Sequence, residues 1–422
     1  MRRRTRNCDY LRRLVKILFY NHTGKVSGAE RVMLMILSKI DRERFDSLLL
    51  CPEDGPLREM TRSYGVRTIE INSLAARFTW RPDRLIGYFA SFARLMREAR
   101  ALVIAEAPDI VHANSIRAGL VMSAATVGRG LPVIWHAHDL LPRHPLSSAI
   151  RLFTLASRRN QILAVSDAVA NRFRGVLLRL FSQRVPITVI HNAVDVKEFQ
   201  PNLSARREIR CSLGFPENQL LIGSVGQLTA RKGQLELIKA FAEVAEEFPK
   251  AALLIAGTAL FNRDFEYAES LRQTTNNLGI SDRVRFIGQC EDIPALMRAF
   301  DVVVVNSRAE PFGLTVVEGM ASGIPVLVTA VDGIKEIVDH DRNGWLVHAR
   351  DHHALVQGLR KLLIDVNLRA RLSARGFSDA RSRFCSNIFL SRIQTLYRQF
   401  FETGITPQRK SRRNQIECGL KI

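Results

Sequence analysis

Two glutamates, Glu310 and Glu318, are separated by seven residues in a segment with the features of a ligand-binding loop. An apolar run, Asp301 to Val305, precedes them and is typical of a buried parallel strand. A helical pattern, Leu314 to Ala321, follows and ends at Ser322-Gly323. A loop between a parallel strand and a helix lies at the carboxyl edge of its sheet, where open α/β sheets bind ligands. Carboxylates that accept from hydroxyls, beside helix amides that donate to phosphate, would suit a sugar nucleotide.

Paired glutamates near a helix start are more often a helix-dipole partner and a solvated surface residue, and either glutamate alone favours that interpretation. The ordered run Glu310-Pro311-Phe312-Gly313-Leu314 with Glu318, continued by residues 320–326, is more specific. It resembles the E-x7-E segment of the retaining glycosyltransferases of family 4 (glycosyl transferases group 1). The resemblance implies that Glu310 acts in catalysis by binding hydroxyls of a sugar donor and that Glu318 binds the ribose. It also implies that the segment Pro311 to Leu314, with its amides near Phe312 and Gly313, contacts the diphosphate.

A second candidate loop, Gly226 to Gly233, follows a predicted strand and opens the predicted helix Gln234 to Ala245. A cation at a helix start beside glycines suits a diphosphate, whereas a solvated Arg-Lys pair is the ordinary alternative. The loop resembles the strand-loop-Lys-Gly pattern of the same family. The resemblance implies that Lys232 contacts the diphosphate and stabilises it as a leaving group, with Arg231 beside it. Gln227 stands where the family often has arginine, so one expected charge is missing although the amide can still donate hydrogen bonds.

His138 follows the predicted strand Val133 to His136. A histidine at a strand end is more often structural than catalytic, and two histidines near Asp139 could also suggest a metal site. No third ligand stands at a telling spacing, so no metal is expected there. The family resemblance implies that His138 is the active-site histidine that faces the donor sugar and orients a hydroxyl or assists proton movement. We expect the side chain of His136 to point away from it.

The loop Gly24 to Glu30 lacks the spacing of a P-loop, and its glycines would equally serve an ordinary turn. The resemblance implies that the Gly28 amide contacts the sugar donor. The pair Asp339 and Asp341 lies in a predicted turn and is interpreted as solvated. The reaction is therefore expected to need no metal and no cofactor, with Lys232 and helix dipoles in place of a cation.

Alternating strand and helix patterns predict an α/β fold with two Rossmann-like domains. The first comprises residues 1–195 and the second residues 196–386. Family resemblance implies the GT-B architecture, with the active site in the cleft between the domains and a last helix, about residues 387–405, crossing back to the first. The basic tail, residues 406–422, is predicted to be disordered. The predicted strands are Lys16–Tyr20, Ser47–Cys51, Ile110–Ala113, Val133–His136, Ile162–Val165, Leu220–Val225, Ala252–Ala256, Val284–Ile287, Val302–Val305, Val326–Val328 and Trp345–Val347.

Charge is the unusual feature of the composition: 62 basic and 41 acidic residues give a net charge of +21. Residues 1–200 carry 32 of the basic and 17 of the acidic residues, so an anionic partner is expected on the first domain. Arg77–Arg100 and Arg172–Arg184 mix apolar residues with arginine and fit either a buried core stripe or a membrane interface. Six scattered cysteines and no apolar segment typical of a signal peptide predict a cytoplasmic protein. The regional charge favours peripheral association with the inner face of an anionic membrane.

The sequence therefore predicts a glycosyltransferase that uses a UDP- or GDP-sugar and a lipid-linked or glycan acceptor, in cell-surface polysaccharide or glycolipid synthesis. One alternative is a non-catalytic basic protein on the same fold that binds nucleic acid or membrane. Nucleic acid is the less favoured partner because no recognised motif or set of stacking aromatics is present. The other alternative is a sugar-nucleotide epimerase, which would not be expected to carry the E-x7-E segment.

Overall fold

The computed structural model describes residues 13–73, 82–142, 144–155, 157, 159–174, 186–259 and 262–403. The predicted disordered tail lies outside these residues, as do parts of the two basic amphipathic stretches. The chain forms two compact units. Unit 1 comprises the described residues up to His191 and those from Phe389 onward, and unit 2 comprises Asn192–Ile388. The division therefore lies four residues before the boundary expected from the sequence, after residue 195.

Unit 1 contains a parallel sheet of seven strands in the order β3-β2-β1-β4-β5-β6-β7. The order reverses direction between β1 and β4, which makes that pair the switch point of the sheet. The strands are β1 (Val15–Tyr20), β2 (Phe45–Cys51), β3 (Arg67–Glu70), β4 (Ile110–Ala113), β5 (Val133–Ala137), β6 (Asn160–Ala164) and β7 (Ile187–Val189). The helices are α1 (Gly28–Lys39), α2 (Leu57–Ser63), α3 (Pro82–Glu106), α4 (Ile116–Ala125), α5 (Pro145–Thr154) and α6 (Asp167–Arg174).

Unit 2 contains a parallel sheet of six strands in the order β10-β9-β8-β11-β12-β13, with its switch point between β8 and β11. The strands are β8 (Leu220–Val225), β9 (Ala251–Ala256), β10 (Val284–Gly288), β11 (Val302–Val305), β12 (Val326–Thr329) and β13 (Trp345–Val347). The helices are α7 (Leu203–Ser212), α8 (Gln234–Ala245), α9 (Asn262–Asn277), α10 (Ile293–Ala299), α11 (Leu314–Ala321), α12 (Ile334–Ile337), α13 (His352–Ile364) and α14 (Val366–Arg383). A short 3-10 turn, Ala230–Lys232, precedes α8. The last helix, α15 (Ser386–Thr403), belongs to unit 1 from Phe389 onward.

The fold confirms two Rossmann-like units, and every predicted strand is present within a residue or two of its predicted ends. Two observed strands, β3 and β7, were not predicted from the sequence. Both are short strands at the edges of the unit 1 sheet and lack fully buried side chains. The continuous apolar run that marks a central parallel strand is therefore absent from them.

The described part of the first basic amphipathic stretch supports the core interpretation. In α3, Leu95 and Ala99 are buried in an apolar cluster with side chains of the unit 1 sheet. Phe173 of α6, from the second stretch, is also fully buried. Among the described residues, no helix combines the length and apolar character needed to span a membrane.

The last described helix, α15, contributes a tyrosine to the core of unit 1. Tyr397 is fully buried and makes edge-on contacts with the rings of Phe19 and Phe45. Its hydroxyl lies 2.8 Å from Nδ1 of His112, which is also fully buried. Burial raises the pKa of the Tyr397 phenol well above its usual range, so the hydroxyl keeps its proton. Helix α15 is thus joined to strands β1 and β2 by aromatic packing and to strand β4 by one buried hydrogen bond.

We expect Tyr397→Phe to lower the free energy of unfolding by about 1–3 kcal/mol, because Nδ1 of His112 would stay buried without its partner. Urea unfolding followed by circular dichroism measures the loss. Tyr64→Phe is the matched control, since Tyr64 is an exposed tyrosine of the same unit. Equal stability of the two variants would contradict a role for the buried hydrogen bond.

Candidate functional site

The loops after β8 and β11 meet at the switch point of the unit 2 sheet through an ion pair. Lys232 Nζ lies 2.6 Å from Glu310 Oε2, and both side chains are largely shielded from solvent, with 18 % and 10 % exposed. The Ser307 hydroxyl donates to the same carboxylate oxygen at 3.0 Å. Arg231 Nη1 lies 3.9 Å from that oxygen and donates to the Ala309 carbonyl at 3.0 Å. The structure therefore brings the three predicted charged residues of the two loops together.

Electrostatics keep the Glu310 carboxylate ionised. Burial would raise its pKa, but the Lys232 ammonium, the Arg231 guanidinium and the Ser307 hydroxyl together hold the pKa below its ordinary value. A charged pair with little solvent around it interacts strongly with any charged or polar ligand that reaches it, because the local dielectric constant is low. The pair can bind an anion through Lys232 and hydroxyl groups through Glu310.

Two glycines allow the backbone segments around this pair to approach closely. Gly233 has a φ of +68°, and a Cβ atom there would lie 2.1 Å from the Asn306 carbonyl oxygen. Gly233 in turn accepts a hydrogen bond from Asn306 Nδ2 at 3.1 Å. A Cβ atom at Gly333 would lie 2.4 Å from the Pro311 carbonyl oxygen. The Lys232 loop and the Glu310 loop could not hold these positions with larger residues at the two glycines.

The backbone of Glu310 is bound on both sides by the segment that follows β12. Its amide donates to the Asp332 carboxylate at 3.1 Å, and its carbonyl accepts from the Gly333 amide at 3.1 Å. Neither Asp332 nor Ser307 was expected from the sequence as a site residue. The signal for Ser307 was its place three residues before Glu310. The signal for Asp332 was its segment, Asp332 to Val338, which resembles the family pattern although the commoner Gly-Gly reads Asp332-Gly333 here.

The remaining predicted residues of the Glu310 loop have different environments. The side chain of Phe312 is buried and packs edge-on against Phe384, so it belongs to the core, and any ligand contact must come from its backbone. Gly313 has a φ of +114° and is the N-cap of α11. Pro311 and Leu314 are partly exposed. Glu318 lies within α11 and is 7 % exposed, which excludes the ordinary interpretation of a solvated surface carboxylate.

Gln227 is already engaged within its own unit. Its Nε2 donates to the carboxylate of Asp264 at 3.0 Å, and its carbonyl accepts from Gln234 Nε2 at 2.9 Å. Asp264 is 5 % exposed and lies in the first turn of α9. One amide proton of Gln227 is therefore already used by Asp264. The positive charge of this loop comes from Arg231 and Lys232, which both lie beside Glu310.

The switch point of the unit 1 sheet carries a second group of polar side chains. His138 follows β5, and its Nε2 lies 3.0 Å from Oδ1 of Asn114, which follows β4. Burial of the ring lowers the pKa of His138 to about 3, so the imidazole is neutral. Nearby, Ser115 Oγ lies 3.0 Å from Nδ1 of His22. His138 was expected from the sequence and Asn114 was not, although each residue directly follows an observed strand.

The expected orientation of His136 was wrong. Its ring centroid lies 3.9 Å from that of His138, because residues two apart in a strand share one face of the sheet. His136 Nδ1 also lies 3.1 Å from Nε2 of His112. Burial lowers the pKa of His136 well below its usual range and that of His112 to about 3, with a smaller contribution from neighbouring imidazoles. Next to His138 the structure therefore has two further neutral imidazoles, those of His136 and His112.

The other predicted residues occupy simpler positions. Gly28 is the exposed first residue of α1, so its amide is one of the free amides of that helix start. Asp339 and Asp341 each pair with an arginine, at 2.7 Å to Arg342 and 2.6 Å to Arg371 respectively. These ion pairs agree with the interpretation of the two aspartates as surface residues.

Comparisons with known proteins agree with this geometry. Residues 26–198 match the family model described as Glycosyltransferase Family 4, and residues 205–379 match that described as Glycosyl transferases group 1. A D-inositol 3-phosphate glycosyltransferase of Salinispora tropica is 30 % identical over 345 residues, which are 78 % of this chain and 71 % of that protein. A UDP-Gal:alpha-D-GlcNAc-diphosphoundecaprenol alpha-1,3-galactosyltransferase of Escherichia coli is 25 % identical over 359 residues, covering 83 % and 88 %.

Among solved structures, Anabaena Alr3699/HepE in complex with UDP and glucose superposes with a TM-score of 0.76 at 26 % identity, covering 90 % of this chain and 98 % of that one. Two Rossmann-like units with this similarity define a glycosyltransferase of the GT-B architecture. The chain belongs to glycosyltransferase family 4. This membership favours the enzyme over the epimerase and the non-catalytic binding protein.

Gly233 provides a test of how the two unit 2 loops are held together. We expect Gly233→Ala to destabilise the protein by about 2 kcal/mol more than Gly279→Ala, because only the first adds a clash with a backbone carbonyl. Gly279 is the matched control: it has a φ of +66°, and a Cβ atom there would meet nothing within 4 Å. Urea unfolding of both variants measures the difference. Equal losses would show that the close approach at Asn306 does not constrain the loops.

Proposed function

We propose that this chain is a retaining glycosyltransferase that transfers a sugar from a nucleoside-diphosphate sugar to a hydroxyl of a lipid-linked or glycan acceptor. The observation that carries the proposal is the Lys232–Glu310 pair at the switch point of the unit 2 sheet. It combines a cation for a diphosphate with a carboxylate for sugar hydroxyls in one shielded place. The E-x7-E segment that contains Glu310 resembles that of retaining enzymes, so retention of anomeric configuration is part of the proposal.

In the proposed reaction the diphosphate is the leaving group and gains negative charge as the glycosidic bond breaks. Lys232, assisted by Arg231 and the amides at the start of α11, stabilises that charge. Glu310 binds hydroxyls of the donor sugar, and Glu318 binds the ribose. These cationic and dipolar groups perform the task of a metal ion, so we propose a metal-independent reaction. His138 of unit 1 binds a substrate hydroxyl.

The proposed acceptor is inferred from the net charge of the chain and from the name of a related protein. The name of the Escherichia coli relative specifies a diphosphoundecaprenol-linked acceptor, which is an anionic lipid. This chain has a net charge of +21, with its excess of basic residues in the first half. A basic protein surface attracts an anionic lipid-linked acceptor and the anionic membrane that holds it. We therefore propose peripheral association with the membrane and a role in cell-surface polysaccharide or glycolipid synthesis.

Variants of the ion pair distinguish the proposed roles of its two members. Lys232→Ala is expected to weaken UDP binding by about 10- to 100-fold, because a charge-assisted contact to the diphosphate is lost. Glu310→Gln is expected to keep UDP binding and to abolish turnover of the nucleotide sugar, because Glu310 contacts the sugar. Calorimetry with UDP and a screen for slow hydrolysis of UDP- and GDP-sugars measure the two effects.

Lys239→Ala is the matched control for charge, since Lys239 is an exposed residue of α8 close in sequence to Lys232. It should leave both measurements unchanged. Unchanged UDP binding in Lys232→Ala, or turnover retained in Glu310→Gln, would overturn the proposed function. A duplex-DNA titration serves as a further control: tight, salt-sensitive binding of DNA without binding of any nucleotide would favour a nucleic-acid-binding protein.

Membrane association can be tested separately by co-sedimentation with lipid vesicles. We expect the full chain to sediment with phosphatidylglycerol vesicles and to be released by salt, because the attraction is electrostatic and screened within about 10 Å at 0.1 M salt. Phosphatidylcholine vesicles are the control for uncharged lipid. Equal absence from both pellets would refute peripheral association.

A further inference from the structure

Three adjacent strands of unit 1 are each followed by a polar residue, and these residues are hydrogen-bonded in series. Asn21 follows β1, Asn114 follows β4 and His138 follows β5. Asn114 Nδ2 donates to Asn21 Oδ1 at 3.1 Å, and Asn114 Oδ1 lies 3.0 Å from His138 Nε2. Asn21 and Asn114 are fully buried. The series therefore lies at the switch point of the sheet and reaches the predicted active-site histidine.

Backbone carbonyls determine which way both amides point. Asn21 Nδ2 lies 2.6 Å from the Thr23 carbonyl oxygen, and Asn114 Nδ2 lies 3.4 Å from the Ala29 carbonyl oxygen. A carbonyl oxygen only accepts, so the NH₂ group of each amide must face it. The amide oxygen of Asn114 therefore faces His138, and it needs a proton from the imidazole.

A buried carboxylate anchors the other end of the series. Glu30 is 3 % exposed, and its Oε1 accepts from Asn21 Nδ2 at 3.1 Å. Its Oε2 accepts from the backbone amide of Ser27 at 3.0 Å and from the Ser27 hydroxyl. An ionised carboxylate only accepts, so every proton in the series points from His138 towards Glu30. Reversal of the series would turn the Asn21 oxygen towards Oε1 of Glu30 and remove its donor, which is costly for a buried charge.

We propose that Asn114, oriented through Asn21 by Glu30, is a positioning residue that holds His138 as the Nε2–H tautomer. Because a neutral imidazole carries one ring proton, Nδ1 of His138 is then an acceptor. Within the proposed function, on which this inference rests, Nδ1 accepts a hydrogen bond from a hydroxyl of the sugar donor or the acceptor. The opposite tautomer would present a donor at Nδ1 and could not accept that bond.

The three strand ends carry neutral polar groups, and the partner that faces the histidine is the amide of Asn114 instead of a charged group. A carboxylate beside His138 would favour the imidazolium form, which has no acceptor. An amide that is itself oriented by a distant carboxylate fixes the proton position and leaves the ring neutral. Burial of the His138 ring, which lowers its pKa to about 3, acts in the same direction.

The test is nitrogen NMR of the full chain labelled with ¹⁵N-histidine, in which the long-range proton–nitrogen couplings distinguish the two tautomers. His138→Gln assigns the His138 signals among the ten histidines of the sequence. We expect the proton of His138 on Nε2 in the unliganded wild type. A proton on Nδ1 would overturn the proposal without any variant being needed, and whether or not the proposed function is correct.

Variants of Asn114 provide a second measurement. In Asn114→Leu the acceptor for Nε2–H is lost, so we expect the Nδ1–H tautomer to appear. Hydrolysis of UDP-glucose should fall about 100-fold in kcat, with KM for UDP-glucose changed by less than about 3-fold. Asn114→Asp places a carboxylate beside His138 and should favour the imidazolium, with a proton on each ring nitrogen. Asn171→Leu, at an exposed position of α6, is the control and should match the wild type.

The outcomes of the two experiments are separable. An Nε2–H signal that persists in Asn114→Leu would show that Asn114 has only a structural role, and the proposal would fail. A correct tautomer pattern in all variants, without hydrolysis of any nucleotide sugar by the wild type, would support the positioning of His138 and reject the proposed function.

Discussion

The structure depends on one constraint of parallel sheets: every strand of a doubly wound sheet delivers its following loop to the same edge. At a switch point the helices on either side turn to opposite faces, so the loops there have room to form a site. In unit 1 the switch point lies between β1 and β4, and in unit 2 between β8 and β11. Asn21 and Asn114 follow the first pair, and the Lys232 and Glu310 loops follow the second. Chain topology alone therefore gathers residues that are distant in sequence.

The buried polar side chains at the two switch points are stabilised in different ways, by an ion pair in unit 2 and by a series of hydrogen bonds in unit 1. In unit 2 a carboxylate and an ammonium neutralise each other at 2.6 Å, and the Ser307 hydroxyl satisfies the same oxygen. A pair of this kind is costly to break by removing one partner, because the other charge stays buried. Under the proposed function, an entering diphosphate supplies a new partner for Lys232 and releases Glu310 towards the sugar. The pair can thus be stable without ligand and still exchange partners when one binds.

In unit 1 the series consists of neutral groups and ends at the buried carboxylate of Glu30. Glu30 orients two amides, and they in turn orient His138. The ring of His136 contacts that of His138, and His136, His112 and the Tyr397 hydroxyl of α15 are hydrogen-bonded in series. Because each ring nitrogen in this series is either a donor or an acceptor, one proton position restricts the next. Helix α15 is in this way part of the environment of the candidate histidine.

Local sequence patterns determined the central strands and the family of this protein. Apolar runs marked the central strands, and the order of residues from Glu310 to Glu318 and around Lys232 indicated the family, because both depend on neighbours in sequence. The edge strands β3 and β7 escaped prediction because they bury too little to show a pattern.

Only tertiary structure decided that Lys232 pairs with Glu310, that Gln227 binds Asp264, and that Phe312 lies in the core. It also decided that Asn114 and Glu30 belong with His138. Hydrogen bonds and ion pairs act over about 3 Å in space. Their partners here are separated by as many as 285 positions in the chain, from His112 to Tyr397, so sequence patterns could name such residues but not join them.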